Sequence, residues 1–427
     1  MYNESIKLSI VLNNESEMKC SMKRITILLG AGAMIEATGL GTGVLTDKVF
    51  ESCKKYKLKS GEEILREFAK DFAKKHSKTM YPRDASFEDL FDILECYMDY
   101  QNQDFNDTGS VILSTIKDKY IVDDKTALFG LRRDFLDTIN NAINEYDQEY
   151  SKEGAWMTSF FHSLIKNEKC FLDVFTLNYD TWMEQILGNY VDGFIDINKF
   201  NGLKNAYDGL MRFSPSVYLN PLNNHTISHL HGQICFEESD LKSEDVNAFM
   251  FEEQEYTLYK YSTFKQAKDL RNRRIRSNLN SQSGHTIFPT NIITGRMKTD
   301  KMVWSPMQIY MHGLMKALMN NEDLIIIGYG FGDLYVNTLL FQYLQKHKDN
   351  KRVRLITYCS EKQFDDEVCA YHSLFQGRQA VFAQCMMGNP GWCTYNRKSY
   401  YESKVSDAGI YIDGFKKYSE DYISGKL

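Results

Sequence analysis

The sequence has little proline, no long apolar run and no strong excess of either charge. Only 6 prolines occur among 427 residues and low-complexity tracts are absent, which excludes a largely disordered or fibrous chain. No run approaches the roughly 18 consecutive apolar residues that can span a bilayer, so we predict no membrane segment. The formal net charge of −6 argues against direct nucleic-acid binding. The length suits roughly two to three folded domains.

Cysteine is scattered rather than clustered. The 9 cysteines form no CxxC pair, which argues against a disulfide framework or a tetrahedral zinc site. Residues 1–21 are polar and lack the apolar core of a secretion signal, so we predict a weakly structured leader. Reduced thiols and the lack of a secretion signal together predict a cytoplasmic protein.

Short apolar runs separated by helical patterns predict an α/β fold. The run at 24–29 is rich in β-branched residues, and similar runs occur at 171–177, 324–327 and 353–358. Continuous apolar runs are typical of strands buried on both faces of a parallel sheet. An amphipathic helical pattern separates the last two runs, which completes a βαβ unit. The sequence therefore predicts a Rossmann-like, open parallel sheet.

Helical periodicity dominates residues 46–168, where apolar side chains recur at spacings of three and four. We interpret this region as a helical insertion within a core that covers 22–360. Residues 235–300 are polar and weakly patterned, and we interpret them as an irregular insertion. The remaining 361–427 are interpreted as a C-terminal extension.

Glycines follow two of the predicted strands. The first glycine loop is Gly30-Ala31-Gly32, and the second is Gly328-Tyr329-Gly330. Glycine lets backbone N–H groups approach a phosphate, and the N-terminus of a following helix favours its negative charge. Either loop could equally be a tight strand-to-helix turn that binds no ligand. Two glycine loops at two strand ends, with an Asn/Asp site and a histidine between them in the sequence, form a constellation of the size that a dinucleotide site needs.

Three polar side chains are candidates for catalysis. Asn178 and Asp180 follow the predicted strand 171–177, at the end of a strand where open α/β sheets bind ligands. An Asn amide both donates and accepts, so it can hold a water molecule, although both residues could instead cap the next helix. His231 precedes a glycine, which suits a general base, although single histidines are more often structural. No acidic partner stands at ligand spacing from it, so we predict no catalytic metal.

These motifs, in this order, resemble those of the sirtuin family over residues 24–360. The likeness is strongest to the divergent sirtuin-like proteins of bacterial antiphage defence. The resemblance implies a sirtuin-like core that binds NAD+ as its substrate. It assigns catalytic roles to Asn178, His231 and Asp180. It assigns NAD+ binding to Gly30, Ala31, Gly32, Thr176, Gly328, Tyr329, Gly330 and Asp333.

The departures from sirtuin deacylases also carry information. Those enzymes have two CxxC pairs after the catalytic histidine, whereas this chain has only Cys235 between His231 and Gly328. We therefore expect no zinc. The acyl-lysine groove of deacylases depends on the zinc domain, so the resemblance favours the defence branch, which cleaves NAD+ itself.

The activity that this resemblance implies is NAD+ glycohydrolysis, giving nicotinamide and ADP-ribose, as an effector of abortive infection. Asn178 would position water, His231 would accept a proton and Asp180 would orient the nicotinamide amide. Because uncontrolled NAD+ loss kills the host, we expect a homo-oligomer gated by a separate partner, such as a HerA-type ATPase or a short Argonaute protein. Two alternatives remain open: an NAD-dependent protein deacylase or ADP-ribosyltransferase, and a module that senses NAD+ or ADP-ribose without cleaving it.

Overall fold

A computed structural model of the chain describes most of the residues after the predicted leader. The leader, 1–21, lies outside the described residues. The described ranges are 23–78, 83–102, 120–122, 124, 126–197, 209–237, 258–273, 279–280, 286–287, 290–294, 301–302, 305–348, 352–358, 378–387, 393–397, 400–403 and 406–427.

The strands are numbered in chain order. They are β1 (Lys23–Leu29), β2 (Cys170–Thr176), β3 (Tyr190–Val191), β4 (Phe194–Asp196), β5 (Leu210–Phe213), β6 (His225–His229), β7 (Phe236–Glu237), β8 (Tyr259–Tyr261), β9 (Leu279–Asn280), β10 (Thr286–Ile287), β11 (Asp323–Ile327), β12 (Arg352–Ile356), β13 (Cys393–Arg397), β14 (Tyr400–Ser403) and β15 (Asp407–Tyr411). The four strands predicted from apolar runs correspond to β1, β2, β11 and β12.

The helices are also numbered in chain order. They are α1 (Gly32–Thr38), α2 (Thr42–Cys53), α3 (Ile64–His76), α4 (Phe87–Asn102), α5 (Thr126–Asp147), α6 (Tyr150–Glu153), α7 (Ala155–Glu168), α8 (Trp182–Leu187), α9 (Pro215–Leu219), α10 (Phe264–Arg273), α11 (Met307–Asn320), α12 (Leu334–Lys346), α13 (Arg378–Met387) and α14 (Phe415–Ile423). No helix within the described ranges is long and apolar enough to cross a membrane.

A nine-stranded sheet organises the fold, in the order β13-β14-β15-β12-β11-β1-β2-β6-β3. All neighbours from β15 to β3 pair in parallel. Strand β14 pairs antiparallel with both β15 and β13, so it alone among these nine strands runs in the opposite direction. From β1 the chain first builds towards β2 and β6, and later returns to the other side of β1 to add β11 and β12. The predicted Rossmann-like α/β class is confirmed, with an additional four-stranded sheet in the order β4-β5-β8-β7.

Helices cover both faces of the large sheet. Alternate side chains of β1 point to opposite faces, so Ile25 and Ile27 pack with α7, α8 and α14, whereas Leu28 packs with α11 and α12. A third cluster lies within the predicted helical insertion, where α2, α3, α4 and α5 bury one another's apolar stripes. This cluster also includes Ile234 and Ile292, so the insertion packs directly on loops at the edge of the sheet.

Strand β6 has no counterpart among the sequence predictions because its residues are mostly polar. Thr226, Ser228 and His229 are buried in the sheet all the same. Their polar groups have partners there: the Thr226 hydroxyl donates to Asp173 at 2.9 Å, and the hydroxyls of Ser228 and Tyr218 lie 2.6 Å apart. Paired polar groups can be buried at little cost, and such a strand has no apolar signature in the sequence.

Three strands from the predicted C-terminal extension, β13, β14 and β15, belong to the main sheet. Strand β15 pairs in parallel with β12, and β14 pairs with β15. Helix α14 packs on α7, and its first backbone N–H groups, of Phe415 and Lys416, donate to the Glu36 carboxylate on α1 at 2.6 and 2.9 Å. Helix α14 therefore packs in one layer with α7 and with α1, the helix that follows the first glycine loop.

Candidate active site

Four neighbouring strands of the parallel sheet end at the same edge, and each is followed by a predicted motif. The first glycine loop follows β1 and the second follows β11, while Asn178 follows β2 and His231 follows β6. The direction of chain progression reverses between β1 and β11, since the chain builds to one side of β1 before the other. Open α/β sheets bind ligands outside the carboxyl ends of their strands at such a reversal.

The two glycine loops touch each other. Gly30 N–H donates to the Ile327 carbonyl and Gly32 N–H to the Gly328 carbonyl, each at 2.9 Å. A Cβ on Gly30 would lie 2.5 Å from the Gly328 oxygen, and Gly328 has a positive φ of 62°. Glycine is therefore required for the contact between the loops. Two of the N–H groups predicted to face a phosphate are instead engaged by carbonyl groups of β11 and its loop.

Asn178 links the end of β2 to the first glycine loop. Its side-chain amide donates to the Gly30 carbonyl at 3.2 Å, and its backbone N–H donates to the Thr176 hydroxyl at 3.0 Å. The residue is 8% exposed. Thr176, which was predicted to bind NAD+, thus orients the Asn178 backbone. These bonds hold the Asn178 side chain against the glycine loops.

Asp180 is engaged within the protein rather than at the surface of the site. One carboxylate oxygen accepts from Trp182 N–H at 3.0 Å, and the other accepts from the Tyr146 hydroxyl at 3.2 Å. Burial raises the pKa of Asp180. This geometry matches the capping alternative, because the carboxylate satisfies a backbone donor in the first turn of α8.

A second carboxylate, from the helical insertion, contacts the same loop. Asp147, at the end of α5, accepts from the Thr181 N–H at 2.9 Å and from its hydroxyl at 2.6 Å. Burial and the nearby charge of Asp180 raise the pKa of Asp147 to about 7. The loop after Asn178 is therefore fastened to the helical insertion through two carboxylates.

His231 is paired with a carboxylate. Its Nε2 lies 2.9 Å from Asp333 Oδ2, and both side chains are nearly buried. The other oxygen of Asp333 accepts from the N–H groups of Tyr335 and Val336, at 2.8 and 3.0 Å, and caps α12. An imidazole that donates from Nε2 to a carboxylate has Nδ1 as its basic nitrogen. Asp333, to which the resemblance assigns NAD+ binding, lies beside the histidine.

The second glycine loop is built on a buried tyrosine. The Tyr329 ring is in the core, and its hydroxyl lies 2.9 Å from the Asn337 side-chain oxygen and accepts from Asp333 N–H at 3.2 Å. Asn337 in turn donates to the Phe331 carbonyl at 2.9 Å. Gly330 is exposed, as is Ala31 of the first loop. Tyr329 therefore supports the loop from below, and the exposed rim consists of small residues.

Sequence reasoning missed a buried polar network behind Asn178. Glu184 Oε1 lies 2.9 Å from His229 Nε2 and 3.4 Å from the Lys260 ammonium, which is 2.7 Å from Asp192. Burial alone would raise the pKa of Glu184, but the charges of His229 and Lys260 outweigh it and lower the pKa to about 2. His229 Nδ1 also lies 3.4 Å from the Asn178 carbonyl oxygen.

The only signal for this network in the sequence was that two of its members lie close to predicted site residues. Glu184 comes one helical turn after Asp180, and His229 lies two residues before His231. The ring of His229 faces Glu184 and that of His231 faces Asp333, so the two histidines have different partners. A cavity of about 620 Å³ adjoins this network and is lined in part by Glu184 and Lys260. Within the described ranges, no group of three or more potential metal ligands was found.

Comparison with known proteins agrees with the motifs. Residues 173–375 match the family model of the SIR2-like domain. This region of the chain is sirtuin-like. The matched residues begin in β2 and include Asn178, His231 and the second glycine loop. No match was found among curated proteins.

Solved sirtuin structures align with most of the chain at low identity. A sirtuin studied for its substrate affinity is 9% identical, with a TM-score of 0.30, over 86% of this chain and 92% of the sirtuin. Two mutants of a Sir2 homologue, each in complex with ADP-ribose, are 10% and 9% identical. Both have a TM-score of 0.30 over 85% of this chain and 90% of theirs.

Proposed function

We propose that this sirtuin-like protein is an NAD+ glycohydrolase that binds NAD+ at the carboxyl edge of the large sheet. The observation that carries the proposal is the arrangement of Asn178, the His231–Asp333 pair and the two glycine loops at the ends of four neighbouring strands. These groups combine a general base with a water-holding amide next to a small-residue rim, at the point where the strand order reverses.

The burial pattern supports an orientation for the dinucleotide. Ala31 and Gly330 are exposed at the rim, whereas Asn178 and His231 are nearly buried beneath it. The pyrophosphate would lie on the rim, where the lack of side chains lets a backbone approach the ligand closely. The nicotinamide half would point inward to Asn178 and His231.

The proposed reaction breaks the bond between the ribose C1′ and the nicotinamide nitrogen. The electron pair of that bond goes to the cationic pyridinium nitrogen, so nicotinamide leaves as a neutral molecule. Water held by Asn178 adds its oxygen to C1′, and His231 accepts the proton released. The products are nicotinamide, ADP-ribose and one proton. Asp333 stabilises the imidazolium that forms, because its carboxylate faces the ring.

In this proposal Asp180 holds the loop that carries Asn178, through its bonds to Trp182 and Tyr146. The same proposal places the enzyme in the cytoplasm as an effector of antiphage defence. Its activity would be gated by assembly with further copies of the chain and with a HerA-type ATPase or a short Argonaute protein. The motif resemblance supports this cellular role.

Nicotinamide release by the purified chain tests the proposal. We expect Asn178→Ala and His231→Ala to lower turnover of NAD+ by at least about 100-fold, the range of general-base catalysis. His162→Gln is the matched control, because His162 bonds the Ile186 carbonyl away from the sheet edge. If either Asn178→Ala or His231→Ala keeps most of its activity, the assignment is wrong.

The assay should be run on the chain alone and then with candidate activating partners. NAD+ that binds but stays intact under every condition would favour the sensing module over the glycohydrolase. NAD+ consumption that requires an acylated peptide, with release of the acyl group, would favour the deacylase. Chromatography of the products separates these outcomes.

A further inference from the structure

The backbone of the loop at His231 is fixed by residues 290–294, which we call the strap. Gln233 N–H donates to the Asn291 carbonyl at 3.1 Å, and Ile293 N–H donates to the His231 carbonyl at 2.6 Å. Between these bonds, Gly232 forms an antiparallel bridge with Ile292. Gly232 has a positive φ of 83°, and a Cβ there would collide with the Asn291 carbonyl oxygen. The strap therefore determines where the His231 backbone lies.

A buried pair of asparagines ties the strap to the helical insertion. The Asn291 side-chain amide donates to Asn140 Oδ1 at 2.7 Å and to the Gln233 carbonyl at 3.2 Å. Asn140 lies in the middle of α5, and its own amide donates to the Leu136 carbonyl at 2.8 Å. Both asparagines are completely buried. Leaving either amide without its partner would cost about 1–3 kcal/mol, so this contact has one favoured geometry.

Apolar and ionic contacts add to the tie. Ile292 of the strap packs in the same cluster as α2 to α5. Just beyond the strap, the Lys301 ammonium bonds to Glu95 on α4, and Glu95 also accepts from Arg132 on α5 at 2.9 Å. All three charged side chains are buried. Lys301, after the strap, is thus also bound to the insertion.

We propose that Asn140 and Asn291 are a positioning pair through which the helical insertion places His231 for reaction. The proposal rests on the proposed function. His231 is held from two sides: Asp333 orients its ring, and the strap fixes its backbone. Asn140 acts through Asn291 and the strap, so it is a positioning residue and not a catalytic one.

Steady-state kinetics of NAD+ cleavage test the pair. Asn140→Leu keeps the branched shape of the side chain and removes its hydrogen bonds, so we expect kcat to fall about 10- to 100-fold, as misplacement of a catalytic group does. The KM for NAD+ should stay within about twofold. Asn291→Leu should behave in the same way. If the two residues act as one unit, the kcat of the double variant should be no lower than that of the less active single variant.

A substitution elsewhere in the insertion serves as the control for a general loss of stability. Leu65 is buried in α3, in the apolar cluster of the insertion, and makes none of the hydrogen bonds that hold the strap. Leu65→Ala should therefore lower the melting temperature and leave kcat within about twofold. A kcat for Asn140→Leu as high as that for Leu65→Ala would overturn the proposal. Multiplicative losses in the double variant would also overturn it.

A second readout does not depend on activity. Imidazole signals in ¹⁵N-histidine NMR spectra, assigned with His231→Gln, report the position of the His231 ring. The signal should shift or broaden in Asn140→Leu and stay unchanged in Leu65→Ala. If the wild-type chain releases no nicotinamide under any condition, the proposed function fails, and the NMR result still decides the positioning pair. Unchanged His231 signals in both asparagine variants would overturn it.

Discussion

Replacing Asp333 with Asn separates the two tasks of this carboxylate. Asp333 caps α12 through two backbone N–H groups and pairs with His231 through its other oxygen. Asn caps helices about as well as Asp, so the cap should survive the change. The negative charge facing the imidazole is lost, while the size and shape of the side chain are kept.

The two contacts of Asp333 differ in the energy that such contacts typically contribute. The stability cost should be small, about 0.3–1 kcal/mol, since only the charge at the helix N-terminus is lost from the cap. A hydrogen bond to a charged partner in a buried site contributes about 1.5–3 kcal/mol. If that energy stabilises the imidazolium in the transition state, kcat should fall about 10- to 150-fold, at about 1.4 kcal/mol per tenfold change.

The assay is nicotinamide release at saturating NAD+, together with thermal unfolding of the same preparation. Asp124→Asn is the matched control, because Asp124 accepts from Thr126 N–H at 2.8 Å at the start of α5, away from the sheet edge. The control should keep its turnover. An Asp333→Asn variant whose kcat is within twofold of the wild type would show that the carboxylate does not support His231 in catalysis.

Two further predictions concern stability. In Gly30→Ala, the new Cβ would lie 2.5 Å from the Gly328 oxygen and 2.6 Å from the Tyr329 Cα. The free energy of unfolding, measured in urea, should therefore fall by about 1–3 kcal/mol. Gly43→Ala in α2 meets open space and should instead stabilise by up to about 1 kcal/mol; equal effects would refute the packing argument. The pKa of Asp147 is raised to about 7, so the folded state binds the proton of this carboxyl more tightly than the unfolded chain does. The stability that this proton contributes is therefore lost as the pH rises from about 4 to 7. Asp147→Asn should therefore gain stability relative to the wild type more at pH 8 than at pH 5, and a pH-independent difference in urea midpoints would contradict this.

Local patterns in the sequence determined the strands at the centre of the sheet. Strands β1, β2, β11 and β12 are continuous apolar runs, and such runs are stable only when both faces are buried. The positions of the two glycine loops and Asn178 followed from these strands, because the ends of parallel strands share one edge, whereas His231 follows β6, which has no apolar signature. The α/β class and the order of the motifs were therefore readable before any tertiary contact was known.

Tertiary structure decided which groups pair with one another. The partner of His231 is Asp333, 102 residues away, and that of Asn140 is Asn291, 151 residues away. Nothing in the local spacing encodes these pairs, because each depends on how distant segments pack. The same holds for Tyr329, which follows a glycine motif but is buried as a support for the loop.

The sequence alone also left parts of the sheet unassigned. Strand β6 consists largely of polar residues whose bonds to Asp173 and Tyr218 exist only in the folded state. Strand β15 finds its place by pairing with β12, and β14 by pairing with β15, and no local pattern in the sequence encodes either pairing. Apolar periodicity identifies segments that must be buried, whereas the pairing of buried polar groups is settled only when the whole chain has folded.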